Sequence, residues 1–83
     1  MIEWSDDALD ELVAAASQGR AQGERILRAL RELDRTGRGD VKKLQGGDER
    51  WRLRVGNWRV IFRKQPGGIA VTRILNRRDA YDD

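Results

Sequence analysis

The chain has no cysteine and no histidine, and among its 83 residues there is one proline, one methionine, one tyrosine and one phenylalanine. Without thiols there is no disulfide, no thiolate nucleophile and no cysteine-based zinc site. Without imidazole the usual near-neutral general acid-base and the Ser-His and Cys-His nucleophile pairs are lost, and with them most metal chemistry. No metal or cofactor is expected, and any catalysis must rely on Arg, Lys, Tyr and carboxylates. Long apolar runs are missing too: nothing approaches the ~18 residues of a spanning helix. The opening MIEWSDD lacks the basic start and apolar stretch of a signal peptide. The expectation is a cytoplasmic protein with no membrane contact.

With 39% apolar and 37% charged residues, the chain is too apolar for a disordered tail. Its length allows one domain, residues 1–83, with a small core to which every large apolar residue should contribute. The formal net charge of +3 conceals an asymmetry. Residues 1–40 carry 9 acidic and 6 basic side chains, whereas residues 41–83 carry 5 acidic and 11 basic. Arg outnumbers Lys 14 to 3, and Arg is the cation whose planar fork binds phosphate oxygens two at a time.

The acidic half reads as two helices. Ser5 is a good N-cap, with Asp6 and Asp7 in the first turn where the helix dipole favours negative charge. Leu9, Leu12, Val13 and Ala16 follow at the i, i+3, i+4, i+7 spacing of one buried stripe, and Gly19 is a stop. A second helix is expected from about Arg20 to Leu33, its apolar face made of Ile26, Leu27, Leu30 and Leu33. Gly23 weakens its first turns by ~1 kcal/mol relative to Ala. Met1 to Trp4 is apolar enough for a short leading strand.

After the loop Thr36–Asp40 the pattern changes. Val41 and Leu44 anchor an approach to the sheet, and beyond Gly46-Gly47 the period becomes 2, with Arg50, Arg52 and Arg54 pointing one way and Trp51, Leu53 and Val55 the other. Gly56-Asn57 fits a two-residue type II′ hairpin turn, Trp58 to Lys64 returns as a strand, Pro66-Gly67-Gly68 turns again, and Ile69 to Leu75 is a third strand. The turn sets a register: Val55 opposite Trp58, Arg54 opposite Arg59, Leu53 opposite Val60, Arg52 opposite Ile61, Trp51 opposite Phe62 and Arg50 opposite Arg63. One face is then wholly apolar and the other carries five Arg and Ile61. A one-residue slip would mix the two sets, so the pattern itself specifies the register. Like charges directly across two strands are destabilising. A hairpin that tolerates Arg opposite Arg, with no carboxylate nearby, points to a platform for a polyanion, either nucleic-acid phosphates or an acidic protein.

WRLRVGNWRVIFR at residues 51–63, preceded by VKKLQGG at 41–47 and followed by ILNRRDAY at 74–81, resembles the RelE/ParE superfamily of bacterial toxin-antitoxin toxins, most closely its RelE branch. The resemblance implies an α+β fold: a short N-terminal strand, and a two-helix hairpin packed on one face of a small, mostly antiparallel sheet. For function it implies a ribosome-dependent mRNA endoribonuclease that inhibits translation, in which a ribose 2′-hydroxyl attacks the adjacent phosphate and leaves a 2′,3′-cyclic phosphate. Arg52 and Arg54 match the family's basic pair on the first hairpin strand, Arg59 the Arg opening the second, and Arg77 or Arg78, with Tyr81, its C-terminal Arg and Tyr; Arg59 and Arg77 would stabilise charge on the phosphate. Arg50, Arg63, Arg78, Lys42 and Lys43 are expected to hold the RNA backbone. The partners implied are a cognate antitoxin, the ribosome and mRNA. Where relatives place Lys on the first strand this chain has Arg, which stays protonated; Tyr81, Asp79 or a ribosomal group is left as the base. The alternatives are a ParE-like inhibitor of DNA gyrase and a catalytically weak relative that mainly binds its antitoxin.

Overall fold

The computed structural model describes residues 1–46 and 49–77. The chain runs β1 (Ile2–Trp4), α1 (Asp6–Gln18), α2 (Arg20–Thr36), β2 (Val41–Lys43), β3 (Trp51–Val55), β4 (Trp58–Gln65) and β5 (Gly68–Asn76). The five strands form one sheet in the order β1-β5-β4-β3-β2. Only β1 and β5 are parallel; every other pair is antiparallel. The two helices lie across one face. No helix among the described residues is long and apolar enough to cross a membrane.

Local chemistry explains the element ends. Ser5 caps α1, its Oγ accepting from the Ala8 N–H at 3.0 Å while its hydroxyl donates to the Thr72 carbonyl at 2.8 Å. One side chain therefore starts the helix and ties it to β5. At the end of α2, Gly37 takes the left-handed conformation (φ 77°) and donates its N–H to the Leu33 carbonyl at 2.8 Å. In the β3–β4 turn Gly56 has φ 59° and Asn57 is not left-handed, the sign pattern of a type II′ turn.

The hairpin register agrees with the sequence over five pairs, from Val55–Trp58 to Trp51–Phe62. The sixth, Arg50 with Arg63, is not a ladder pair: β3 begins at Trp51, and the Arg50 carbonyl accepts from the Leu44 N–H at 2.9 Å instead. The apolar face of the hairpin meets α2, with Ile26, Leu30, Val60 and Phe62 wholly buried and Leu33, Leu53, Ile69, Val71 and Ile74 nearly so. The Trp58 indole N–H, the one polar atom of its ring, donates to Gln22 Oε1 at 2.9 Å.

The stripe expected on α1 is not the one that is buried. Ala8 and Ala15 are fully buried and Leu12 packs against the core, whereas Leu9 is 44% and Val13 65% exposed. Close approach dictates this choice. A Cβ built on Gly23 of α2 would stand 2.9 Å from the Ala16 Cβ, so the helices touch through small residues. Glu11, beside Ala8 and Ala15 on the wheel, turns towards the sheet and accepts from Arg73 and from the Ile74 N–H. Periodicity identifies a stripe but not which neighbours claim it.

Candidate functional site

The helices cover one face of the sheet and leave the other to Lys42, Arg52, Arg54, Arg59, Ile61, Arg63 and Leu75. Their grouping follows from register. Lys42 pairs with Arg52 and Arg52 with Ile61, forming one row across three strands; Arg54 pairs with Arg59 and Arg59 with Leu75, forming a second. The second row adjoins the Gly56-Asn57 turn. Arg77 belongs to the same end, because its backbone N–H donates to the Asn57 carbonyl. Arg54, Arg59 and Arg77 therefore share the turn end of the sheet, while Arg63, opposite Ala70, lies towards the other end.

The arginines differ in environment. Arg54 and Arg77 are exposed and Arg59 is half-buried. Arg52 is only 7% exposed, and its Nη1 donates to the Asp40 carbonyl at 3.1 Å and to Asp40 Oδ1 at 3.3 Å. Among the described residues Arg54 has no carboxylate partner. Arg54 is thus available to an anion, whereas Arg52 is restrained by the residue that leads into β2.

Lys43 stands apart from the other expected RNA contacts. Its register partners are Trp51 and, through Trp51, Phe62, which places it on the helix side of the sheet. There its Nζ lies 5.9 Å from the Trp51 ring centroid, with Lys64 Nζ at 3.8 Å from the same ring. Arg50 precedes β3 at its Trp51 end, away from the Arg54–Arg59 pair. Arg78 and Tyr81 lie outside the described residues.

Two residues matter that the sequence pattern did not single out. Asp40 brings a carboxylate to the basic face; the signal was its position two residues ahead of Lys42, which pairs with Arg52. Arg73 is withdrawn from the site. Its Nε and Nη2 both reach Glu11 Oε2, at 3.0 and 2.8 Å, and Glu11 Oε1 also accepts from the Ile74 N–H at 2.7 Å. The hydrogen bond from Glu11, and then its charge, hold the Arg73 guanidinium pKa above its ordinary value. No local spacing could have revealed a contact between residues 62 positions apart.

A helical hairpin on one side of a sheet, with paired guanidinium groups on the other, defines a small α+β domain that offers concentrated positive charge on a rigid surface. The comparisons with known proteins agree on the family. The sequence profile described as the ParE toxin of type II toxin-antitoxin system, parDE, matches residues 2–81, and the chain belongs to this RelE/ParE superfamily of toxins.

Among characterised relatives, Toxin RelE3 of Methanocaldococcus jannaschii is 37% identical over 43 residues, a match covering 52% of this chain and 49% of that one. The chain therefore aligns with about half of that relative. The YoeB-YefM complex from Staphylococcus aureus matches with a TM-score of 0.77 at 16% identity, over 99% of this chain and 97% of that one. The RelB-RelE antitoxin-toxin complex from Methanococcus jannaschii gives a TM-score of 0.71 at 22% identity, covering 92% and 91%. The archaeal RelE-RelB complex from Pyrococcus horikoshii gives 0.67 at 26%, covering 95% and 96%.

Proposed function

We propose that this toxin is an mRNA endoribonuclease of the RelE type, acting on message held by the ribosome. The observation that carries the reading is the Arg54–Arg59 cross-strand pair at the turn end of the open face, with Arg77 beside it. Cleavage of RNA by its own 2′-hydroxyl passes through a phosphorane with extra negative charge. Guanidinium groups gathered at one end of a rigid sheet stabilise that charge, which is the largest contribution a protein of this composition can make. The 2′-oxygen forms a bond to phosphorus as the bond to the 5′-oxygen breaks. The 2′-hydroxyl proton leaves and the 5′-oxygen gains one, giving a 2′,3′-cyclic phosphate and a 5′-hydroxyl.

Arg54 and Arg59 grip the scissile phosphate in this reading, Arg77 adds charge at the same end, Lys42 and Arg63 follow the backbone, and Tyr81 stacks on a base. Arg does not deprotonate, so the basic face supplies charge and leaves proton transfer to another group. A ribosome-held message provides what so small a surface does not: a strand already extended and fixed. The partner that silences the toxin is a cognate antitoxin, as YefM and RelB accompany the related toxins, and acidic side chains of that antitoxin laid on the Arg face would exclude RNA.

The test is primer extension on ribosome-bound mRNA with the purified chain and with Arg59→Ala. New 5′ ends within codons are expected, reduced by ~10²- to 10³-fold in rate for Arg59→Ala, as for loss of one preorganised charge-stabilising donor. Intact message at high toxin excess would overturn the proposal. DNA breaks and an SOS response with translation continuing would assign the toxin to gyrase instead.

A further inference from the structure

One arginine of the helical layer lies where the basic sheet ends. Arg25 projects from α2 onto the Gly56-Asn57 turn, and a Cβ built on Gly56 would stand 2.9 Å from its Nη2 and 3.4 Å from its Cζ. The guanidinium therefore lies against the bare backbone of a glycine that the turn already requires for its φ of 59°. No acceptor holds it there. Arg25 is exposed, and among the described residues it makes no hydrogen bond and no ion pair. The nearest carboxylates on its own helix are engaged elsewhere, Glu24 with Arg20 at 3.4 Å and Glu32 with Arg35 at 2.8 Å.

The turn joins this group to the open face. Arg77 reaches the same turn through its N–H on the Asn57 carbonyl, and Arg54 and Arg59 form the outward-facing pair one step back from Val55 and Trp58. β2 accompanies β3 only as far as Leu53, so the end of β3 has no strand beside it. At that edge a cleft of about 380 Å³ opens between α2 and the hairpin, lined by Arg25, Arg28, Ala29, Val55 and the Glu32 that Arg35 holds. Basic surface thus continues from the Arg54–Arg59 pair, round the tip of the hairpin, to Arg25. Arg54 and Gly56 are two residues apart, ~6–7 Å along a strand, which is about one nucleotide step of an extended RNA backbone.

We infer that Arg25 binds a backbone phosphate at the hairpin tip, next in the strand to the one held by Arg54 and Arg59, so that RNA bends round the tip from the open face towards α2. The inference builds on the RNA-binding reading of the Arg54–Arg59 pair and adds the helical layer of the protein to the site. A guanidinium with all its donors unused can take two phosphate oxygens at once. It brings nothing to the reacting atoms, so its contribution is the same in the ground state and the transition state: it tightens binding and leaves the chemical step alone. It also sets the path of the strand, because a phosphate held at Arg25 fixes which neighbouring phosphate reaches Arg54 and Arg59.

Single-turnover cleavage of ribosome-bound mRNA at increasing toxin concentration, paired with filter binding of single-stranded RNA at several salt concentrations, tests this with Arg25→Gln and Arg25→Lys. For Arg25→Gln the half-saturating toxin concentration is expected to rise ~10-fold, as for loss of one charge-assisted contact, with the maximal rate and the thermal midpoint unchanged; Arg59→Ala lowers the maximal rate instead. The slope of log K against log salt should be shallower by ~0.7 for Arg25→Gln, one phosphate contact on a single strand. Arg25→Lys should restore that slope, which mere packing over Gly56 would not do. A wild type that cleaves, with Arg25→Gln equal to it in half-saturation and slope, would overturn the inference and leave the endoribonuclease reading standing; a fall in maximal rate alone would overturn it too. A wild type that leaves the message intact, yet loses RNA affinity and slope on Arg25→Gln, would overturn that reading and uphold the phosphate contact. A wild type that neither cleaves nor binds RNA would overturn both.

Discussion

Helix propensity and structure make opposite forecasts for Gly23→Ala, so the substitution separates them cleanly. From sequence alone, replacing a glycine inside a helix with alanine should stabilise it by about 1 kcal/mol. In the fold, the new Cβ would lie 2.9 Å from the Ala16 Cβ and 3.3 Å from the Ala16 Cα, against a comfortable carbon-carbon separation of ~3.5–4.0 Å. The obstacle is backbone-fixed and cannot rotate away. Relief requires α1 and α2 to part by most of an ångström, which loosens α1 where Ala8 and Ala15 are wholly buried. Overpacking of this kind costs ~1–3 kcal/mol. Set against the propensity gain, the net is a destabilisation of up to ~2 kcal/mol, or several degrees in thermal midpoint for a domain of this size. Urea melts at a few micromolar protein, monitored by helical circular dichroism, measure it. Ala16→Gly in the same chain removes the obstacle, so the double-mutant cycle should return a favourable coupling of ~1 kcal/mol or more. A Gly23→Ala protein more stable than wild type, or a coupling near zero, would refute the close-contact reasoning.

Other perturbations follow from the same structure. Glu11→Gln keeps an acceptor for the Ile74 N–H but loses the charge that holds Arg73 in its two-pronged contact; with Arg73 half exposed the loss should be ~1 kcal/mol in a urea melt, and Glu11→Ala should cost more because the strand N–H is then unsatisfied too. Asp40→Asn removes the carboxylate 3.3 Å from the Arg52 guanidinium. If the basic face binds single-stranded RNA, affinity should rise and the slope of log K against log salt should steepen by up to ~0.7, readable by filter binding at several salt concentrations; an unchanged slope would place Arg52 outside the RNA contact.

The parts of the fold legible in the sequence were those fixed by short-range rules. The Ser5 cap, the Gly56-Asn57 turn and the strict alternation from Trp51 to Phe62 each depend on neighbours or on one turn geometry, and the structure agrees with all three. The failures share a cause. Pairing Arg50 with Arg63 extends the alternation past the point where the chain leaves the ladder towards β2. Charge puts Lys43 among the expected RNA contacts, and only its register with Trp51 reveals that it lies on the helix side of the sheet. Spacing alone marks the α1 stripe, yet its burial depends on Gly23, a residue of the other helix. Each required knowing what lay across a gap of many residues.

The same distinction bears on the site. A face carrying Lys42, Arg52, Arg54 and Arg59 on adjoining strands should repel itself, and Lys42 beside Arg52 and Arg54 beside Arg59 are unfavourable register pairs. What offsets them is the opposite face: Leu53, Val60 and Phe62 are all but sealed beneath α2, and flipping any strand to relieve the repulsion would expose them. The apolar core thus holds the arginines in a register their own charges disfavour. An anion placed on that face removes the repulsion as well as gaining the new attraction. Charge repelling charge in the free protein becomes, on binding, part of the affinity, so neutralising Arg54, which has no carboxylate partner among the described residues, should weaken anion binding while making the unbound fold more stable.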